Sequence, residues 1–247
     1  MRTKKAGSLA KTVFDLAGAA ALIILLSPIL VAIALLVKAT SRGPVLFVQK
    51  RLGKGGAGFR LYKFRTMCAG AEEILHSTPA LHGSYVASGY KLSDRDDPRI
   101  TPIGRLLRCS GLDELPQLVN VLGGDMSLVG PRPIVPPELE RYPEYLSLVR
   151  DIRPGITGCW QVSGATCVDY ARRAELERHY VTNRSLWLDV SLLLQTVRKL
   201  GSSFAPAAIA PLTVHPRQSE GIATAVWPAT EESSETNRSW TSRGPSR

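Results

Sequence analysis

Cysteine is scarce in this sequence: four in 247 residues, Cys68, Cys109, Cys159 and Cys167. No two form a Cys-x-x-Cys pair, and with the four histidines they make no cluster at metal-ligand spacing. That pattern excludes a disulfide framework and fits reduced, cytosol-facing thiols. Aromatic residues reach only 6%, and no nucleic-acid-binding module is recognisable, so stacking on bases is a poor reading and nucleic acid is not expected as a partner. The Gly-rich run 52–57 lacks Walker spacing and no helix is predicted directly after it, which excludes a P-loop. Acidic residues are also short, 21 against 31 Lys and Arg, for a net charge of +10. Residues 201–247 balance four arginines with four glutamates, so the whole excess lies in residues 1–200. Such a balance suits an anionic membrane face or phosphorylated substrates.

What the chain does have is a long apolar run. Basic residues come first, and residues 16–37 then carry no charge. At 1.5 Å per residue this run is roughly 33 Å long, enough to cross a bilayer. A signal peptide would be shorter and end in a small-residue cleavage site, and none is obvious before Lys38. Ser27-Pro28 sits mid-run, where proline removes a helix hydrogen bond and serine can re-satisfy a carbonyl. Both flanks are positive, so the positive-inside rule gives no direction for a span. A kinked spanning helix and a helix that dips in and returns to the same face both remain open on these grounds.

The segments 44–49 and 58–64 read as two strands of a hairpin. Seven basic residues and no acid lie between Arg42 and Arg65. Residues 68–93 read as helix first and loop later, 136–151 as one helix, 153–164 as a structured loop, and 169–182 and 186–200 as two further helices. The last carries a broad apolar face including Trp187, Leu194 and Val197, suited to a core or to a membrane interface. Beyond Gly201 the composition turns to Ser, Thr, Pro and Ala, and this tail is expected to be disordered.

Two adjacent carboxylates, Asp113 and Glu114, precede a short apolar segment closed by Gly123-Gly124. Pro116 is tolerated in a first helical turn, so a helix is expected to start near Asp113, with Asp113 kept ionised by the N-terminal dipole. Phosphate is welcome at the same place, provided cations offset the repulsion; Arg105, Arg108 and Arg132 stand close in sequence. An ordinary capped helix with solvated acids is the plain alternative.

The motifs Tyr62-Lys-Phe-Arg-Thr-Met67, Asp94 to Arg108, Asp113-Glu-Leu-Pro-Gln117, Asn120-Val-Leu-Gly-Gly-Asp-Met-Ser127, Val129-Gly-Pro-Arg-Pro133 and Arg153 to Gly164 together resemble the bacterial sugar transferase family. These are monotopic polyprenyl-phosphate phosphosugar transferases of exopolysaccharide and O-antigen pathways. The resemblance covers about residues 11–200, and with no multi-span region ahead of it the chain looks like the family's minimal form. It departs at Ala165, where the family usually has Arg, and at Glu177, where it often has Asp.

The resemblance implies an α+β fold: a mainly helical cytosolic domain with a small β-hairpin, anchored by an N-terminal broken, re-entrant membrane helix. The domains would be residues 1–40, the catalytic domain 41–200 and the tail 201–247. It implies transfer of a sugar-1-phosphate from a UDP-sugar to undecaprenyl phosphate at the bacterial inner membrane, with release of UMP. Asp113 would be the carboxylate nucleophile and Glu114 a second metal ligand or an orienting base. Both would hold Mg²⁺, while Lys63, Arg65, Arg108, Arg132 and Arg153 would bind substrate phosphate. A homodimer and downstream glycosyltransferases are the further partners expected. A degenerate, non-catalytic member or a membrane-tethered basic binding protein is the alternative.

Overall fold

The computed structural model describes residues 2–87, 92–94, 96–164 and 169–203, with side chains described from residue 9 to 201. Ala165 and the tail from residue 204 lie outside the described residues.

A helix α1 (Arg2–Thr40) leads into an antiparallel hairpin, β1 (Leu46–Leu52) and β2 (Gly58–Phe64), whose register runs from Leu46 opposite Phe64 to Leu52 opposite Gly58. Two short helices follow, α2 (Ala71–Ser77) and α3 (Pro79–Ala87), then α4 (Pro102–Ser110), α5 (Gln117–Leu122) and β3 (Ser127–Val129). Next come α6 (Tyr145–Leu148), β4 (Gly155–Thr157), α7 (Cys159–Val162), α8 (Tyr170–Asn183) and α9 (Leu186–Ser203). A mainly helical chain with a small hairpin is thus observed. The sequence did not announce the second sheet, a parallel pair of β3 and β4 in which Ser127 faces Gly155 and Val129 faces Thr157.

Three expectations need correction. His82-Gly83-Ser84 lies inside α3, not in a loop; Pro79 begins that helix, and a single Gly can be carried in a helix interior at a cost of about 1 kcal/mol. The single helix expected over 136–151 is a 3₁₀ turn (Pro136–Glu140) and the one-turn α6. Pro143 and the demand to bury Tyr142 and Tyr145, both at 0% exposure, override the helical period there. Asp113 does not cap a helix. It lies inside a 3₁₀ turn (Leu112–Glu114), and the N-cap of α5 is Pro116.

The break expected at Ser27-Pro28 is not observed: α1 runs through Pro28 as one helix, Arg2–Thr40. Proline has no N–H for the carbonyl four residues back, and the Ser27 hydroxyl donates to that same Ile24 carbonyl at 2.8 Å. The expected repair by Ser27 is therefore present. Both arms of α1 pack on the same body. Ahead of Ser27, Ala19 belongs to the main core with Leu61, Leu118, Val121, Met126, Leu128, Val129, Tyr180 and Leu192, and Phe14, Leu22 and Ile23 flank it. After Pro28, Ile33 and Val37 pack with Phe64 and Leu107, flanked by Leu30, Ala34 and Leu112. The first arm is also tied by charge. Lys11 Nζ lies 2.8 Å from both Asp15 Oδ1 and Asp189 Oδ2, and Asp15 Oδ1 accepts the Leu128 N–H at 3.2 Å. Just ahead of Ser27-Pro28 the apolar side chains are bare, Ile24 and Leu25 being 75% and 73% exposed.

Of the apolar face expected on α9, Trp187, Leu194 and Val197 are exposed, whereas Leu192 and Asp189 turn inward. Asp169 caps α8, its carboxylate accepting from Arg172 N.

Candidate active site

Asp113 and Glu114 owe their placement to the ends of two helices. Helix α4 stops at Gly111, whose φ of +67° is the left-handed conformation that favours glycine, and the chain turns at once into 112–114. Leu112 packs into the Ile33–Val37–Phe64–Leu107 cluster and fixes the turn. On the far side, α5 holds the hairpin through Asn120. Its side-chain amide donates to Arg60 O at 2.6 Å and its Oδ1 accepts Tyr62 N at 3.1 Å, so one side chain stands in for a neighbouring strand along β2. That registers Lys63 against the acidic pair.

Glu114 is the occupied carboxylate. Its Oε1 accepts from Lys63 Nζ at 2.6 Å and Arg132 Nη2 at 3.2 Å. Burial pushes its acid up, but Arg132 and Lys63 outweigh burial and hold it down, to about 2. Asp113 is 9% exposed and accepts no side-chain hydrogen bond among the described residues. Burial first, and the Glu114 charge second, push its pKa from 3.8 up to about 6, against the pull of Lys63, Arg108 and Arg132. The expectation of a dipole-stabilised aspartate is corrected here: Asp113 has lost the helix N-terminus that would have lowered its pKa.

Arg132 is placed by a network that local sequence did not reveal. Parallel pairing of β3 and β4 ties the 130–133 loop down, with Gly155 N donating to Pro131 O at 2.8 Å. Glu177, 1% exposed, accepts the Arg132 backbone N–H at 3.0 Å, the Tyr142 hydroxyl at 2.7 Å and Arg173 Nε at 3.1 Å. Arg173 Nη2 then donates to Arg132 O at 2.8 Å. Arg51 completes the wall. It donates to Pro133 O at 3.1 Å and to Gln49 Oε1, and burial with Arg132 beside it lowers its pKa to about 10. Arg51, Lys63, Glu114, Gln117 and Arg132 line one small recess. It holds three cations against Glu114, and against Asp113 behind it, which suits an anionic ligand.

The structure brings Lys63, Asp113, Glu114 and Arg132 together. Arg108 stands aside, its Nε donating to Thr66 Oγ1 and its Nη1 to Asp94 Oδ1, both at 2.8 Å. Arg65 lies at the exit of α1, bonded to Ser41. Arg153 lines a separate recess of about 250 Å³ with Lys54, Phe59, Gly124 and Asp125. Sequence reasoning missed Arg51 and the Glu177 hub's reach to Arg132, because both act through contacts across 80 and 45 residues or so. Among the described residues no group of three His, Cys, Asp or Glu could cage a metal. The two carboxylates suit a hard ion that takes its remaining ligands from phosphate and water.

A model of the family described as bacterial sugar transferase matches residues 6–203. Over 200 residues the chain is 42% identical to an undecaprenyl-phosphate galactose phosphotransferase of Salmonella typhimurium, covering 79% of this chain and 41% of the relative. It is 40% identical over 195 residues to the exopolysaccharide production protein ExoY of Sinorhizobium fredii, covering 77% of this chain and 85% of the relative. An undecaprenyl-phosphate glucose phosphotransferase of Komagataeibacter xylinus is 38% identical over 203 residues, with 77% and 36% covered. The chain thus spans less than half of the first and third of these relatives and most of the second.

Proposed function

The chain belongs to the bacterial sugar transferase family, and from that premise we propose that it moves a sugar-1-phosphate from a UDP-sugar to undecaprenyl phosphate, with Asp113 as the nucleophile. The observation that carries this assignment is the division of labour in the acidic pair. Glu114 is held by Lys63 and Arg132, whereas the Asp113 carboxylate is unbonded among the described residues and has its pKa raised to about 6. A carboxylate stripped of donors is the better nucleophile, and near pH 7 it is still mostly ionised.

In the first half-reaction an Asp113 oxygen attacks the sugar-side phosphorus. The new O–P bond forms, the bond to the bridging oxygen breaks, and UMP leaves with both electrons of that bond. In the second, an oxygen of the lipid phosphate attacks the same phosphorus and the Asp113 carboxylate leaves unchanged. Lys63, Arg132 and Arg51 neutralise phosphate oxygens, and Glu114 holds the first two in place. Asp113 and Glu114 would hold a Mg²⁺ ion brought with the diphosphate. When bound, such an ion supplies further charge neutralisation on phosphate oxygens.

The composition and exposure of α1 support a bilayer location. It is long and apolar enough to cross a membrane by length and composition, and its exposed apolar side chains run along the helix from Leu9 and Val13 through Ile24 and Leu25 to Leu35 and Leu36. Docking of both arms on one body favours re-entry over a span, because a helix crossing the membrane must carry one end away from that body. Re-entry would set the acidic pair at the headgroup plane, where a polyprenyl phosphate presents its reactive end.

The test is UMP release from a panel of UDP-sugars by purified membranes, with and without undecaprenyl phosphate. One sugar should give a stoichiometric burst without acceptor and turnover with it. Absence of UMP from every donor would leave a binding protein as the reading.

A further inference from the structure

Arg65 is buried, 8% exposed, yet most of its donors are idle. Its Nη2 donates to the Ser41 carbonyl at 2.8 Å and to the Ser41 hydroxyl at 2.7 Å. Its Nε and Nη1 are buried without a hydrogen-bond partner. A guanidinium has five N–H donors, so three are left over, and a buried charged donor left unpaired is costly. No carboxylate lies within salt-bridge distance of it among the described residues. The neighbouring loop packs directly against this fork: Gly43 has φ +115°, and a Cβ there would collide with Arg65 Nη1. Lys38 Nζ reaches the Gly43 carbonyl at 3.5 Å, adding a second cation.

The place is specific. Ser41 is the first residue after α1, so the fork sits where the second apolar arm ends. Arg65 is also two residues beyond Lys63, on the same side of the extended chain and roughly 7 Å along it. Lys63 itself touches Glu114. The idle donors therefore sit at the end of the apolar helix, on a side chain two residues along the chain from the lysine that holds Glu114. A planar fork with free N–H groups matches the oxygens of a phosphate monoester.

We propose that Arg65, with Lys38 beside it, seats the phosphate of the membrane-resident acceptor, leaving Lys63, Arg51 and Arg132 to the donor diphosphate. This rests on the transferase reading above and divides the phosphate-binding residues between the two substrates. Arg65 is a binding group for the second half-reaction: it holds the attacking phosphate while its oxygen forms the bond to phosphorus and the Asp113 carboxylate departs.

The experiment compares wild type, Arg65→Ala and Arg65→Lys in full-length protein. It measures UMP burst with UDP-sugar alone, kcat/KM for each substrate, and binding to vesicles of zwitterionic or anionic phospholipid. The expected result is an unchanged burst and donor kcat/KM, with acceptor kcat/KM reduced roughly 100-fold in Arg65→Ala and less in Arg65→Lys. An intact burst also shows that the variant is folded. An equal loss in burst and in both kcat/KM values overturns the proposal and makes Arg65 a donor-site or structural residue. Weaker binding to anionic vesicles with normal acceptor kcat/KM overturns it in favour of a general headgroup site, and no change in any readout overturns it outright. If wild type gives turnover but no burst, the covalent reading fails, and the split between the two kcat/KM values still decides the role of Arg65.

Discussion

The Glu177 carboxylate accepts the backbone N–H of Arg132 at 3.0 Å, from a helix 45 residues further along the chain. Through that bond, and through Arg173 on the Arg132 carbonyl, helix α8 sets the position of the guanidinium that grips Glu114. Replacing Glu177 with Gln keeps the shape and removes the charge facing Arg173 and Tyr142. We expect a loss of about 3 kcal/mol in stability, because Arg173 is 3% exposed and would lose a buried partner. Turnover should fall by more than the folded fraction does, since Arg132 loses its anchor. Urea denaturation together with kcat on the folded fraction checks this; equal losses in both would mean that Glu177 is structural only.

Asp113 makes its own contribution to pH dependence. Its folded pKa of about 6 lies above the ordinary 3.8, so the folded state binds the proton more tightly and stability falls as pH rises through that window. Asn at this position resembles the protonated acid. Asp113→Asn should therefore stabilise the substrate-free protein by about 2–3 kcal/mol above pH 7, with the gain vanishing below pH 4. Glu114 runs the other way. Its pKa is held at about 2, so its contribution is present above pH 4.5 and lost as pH falls towards 2. Denaturation curves at pH 4 and pH 8 separate the two; an Asn variant less stable at pH 8 would contradict the burial argument.

The burst of UMP should follow the ionised fraction of Asp113. At sub-saturating donor its second-order rate constant is expected to climb with pH towards the free enzyme's Asp113 pKa of about 6 and to level off above it. Asp113→Asn should give no phosphosugar adduct at all. Glu114→Gln should still form one, slower by on the order of 100-fold, because Lys63 and Arg132 lose the anion that holds them. An adduct on the Asn variant, detected by intact-protein mass, would move the nucleophile elsewhere.

Local signals carried the elements that local chemistry decides. The hairpin appeared from its strand composition, α9 from its broad apolar face, and the Ser27 hydroxyl from the need to re-satisfy a carbonyl at Pro28. The acidic pair and Arg132 were legible in the local sequence, whereas Lys63 and the roles of all four came from motif resemblance. What stayed hidden is non-local. Asn120 reads as one polar residue in an apolar turn, yet it completes the edge of β2. Nothing near Arg51 points to Pro133. The 3₁₀ turn at Asp113 replaces a helix start because the left-handed Gly111 and the half-buried Leu112 fix the chain before α5 can begin. Tertiary contact overrode the capping preference, and the pKa of Asp113 changed with it.

The orientation of α1 gives the last prediction. For this helix to span, residues 1–11 would have to leave the side on which Asp113 lies. Lys11 would then lose Asp189 and Asp15 would lose the Leu128 N–H, although Asp15 and Asp189 are each only 2% exposed in the docked arrangement. An ionised carboxylate pulled from such partners into hydrocarbon costs several kcal/mol. Re-entry keeps these bonds and leaves the Ile24 carbonyl orphaned by Pro28 to Ser27. We therefore expect Thr3→Cys, in a background with the four native cysteines replaced by Ser, to resist an impermeant thiol reagent in intact cells and to label only after lysis. Rapid labelling in intact cells would establish a span. Pro28→Ala restores the missing donor and straightens the axis, so it should raise the labelled fraction. Asp15→Asn should raise it as well, by loosening the first arm without touching the bend. Should Pro28→Ala label while Asp15→Asn does not, the bend alone sets the topology and the Lys11–Asp15–Asp189 tie serves only to dock the arm.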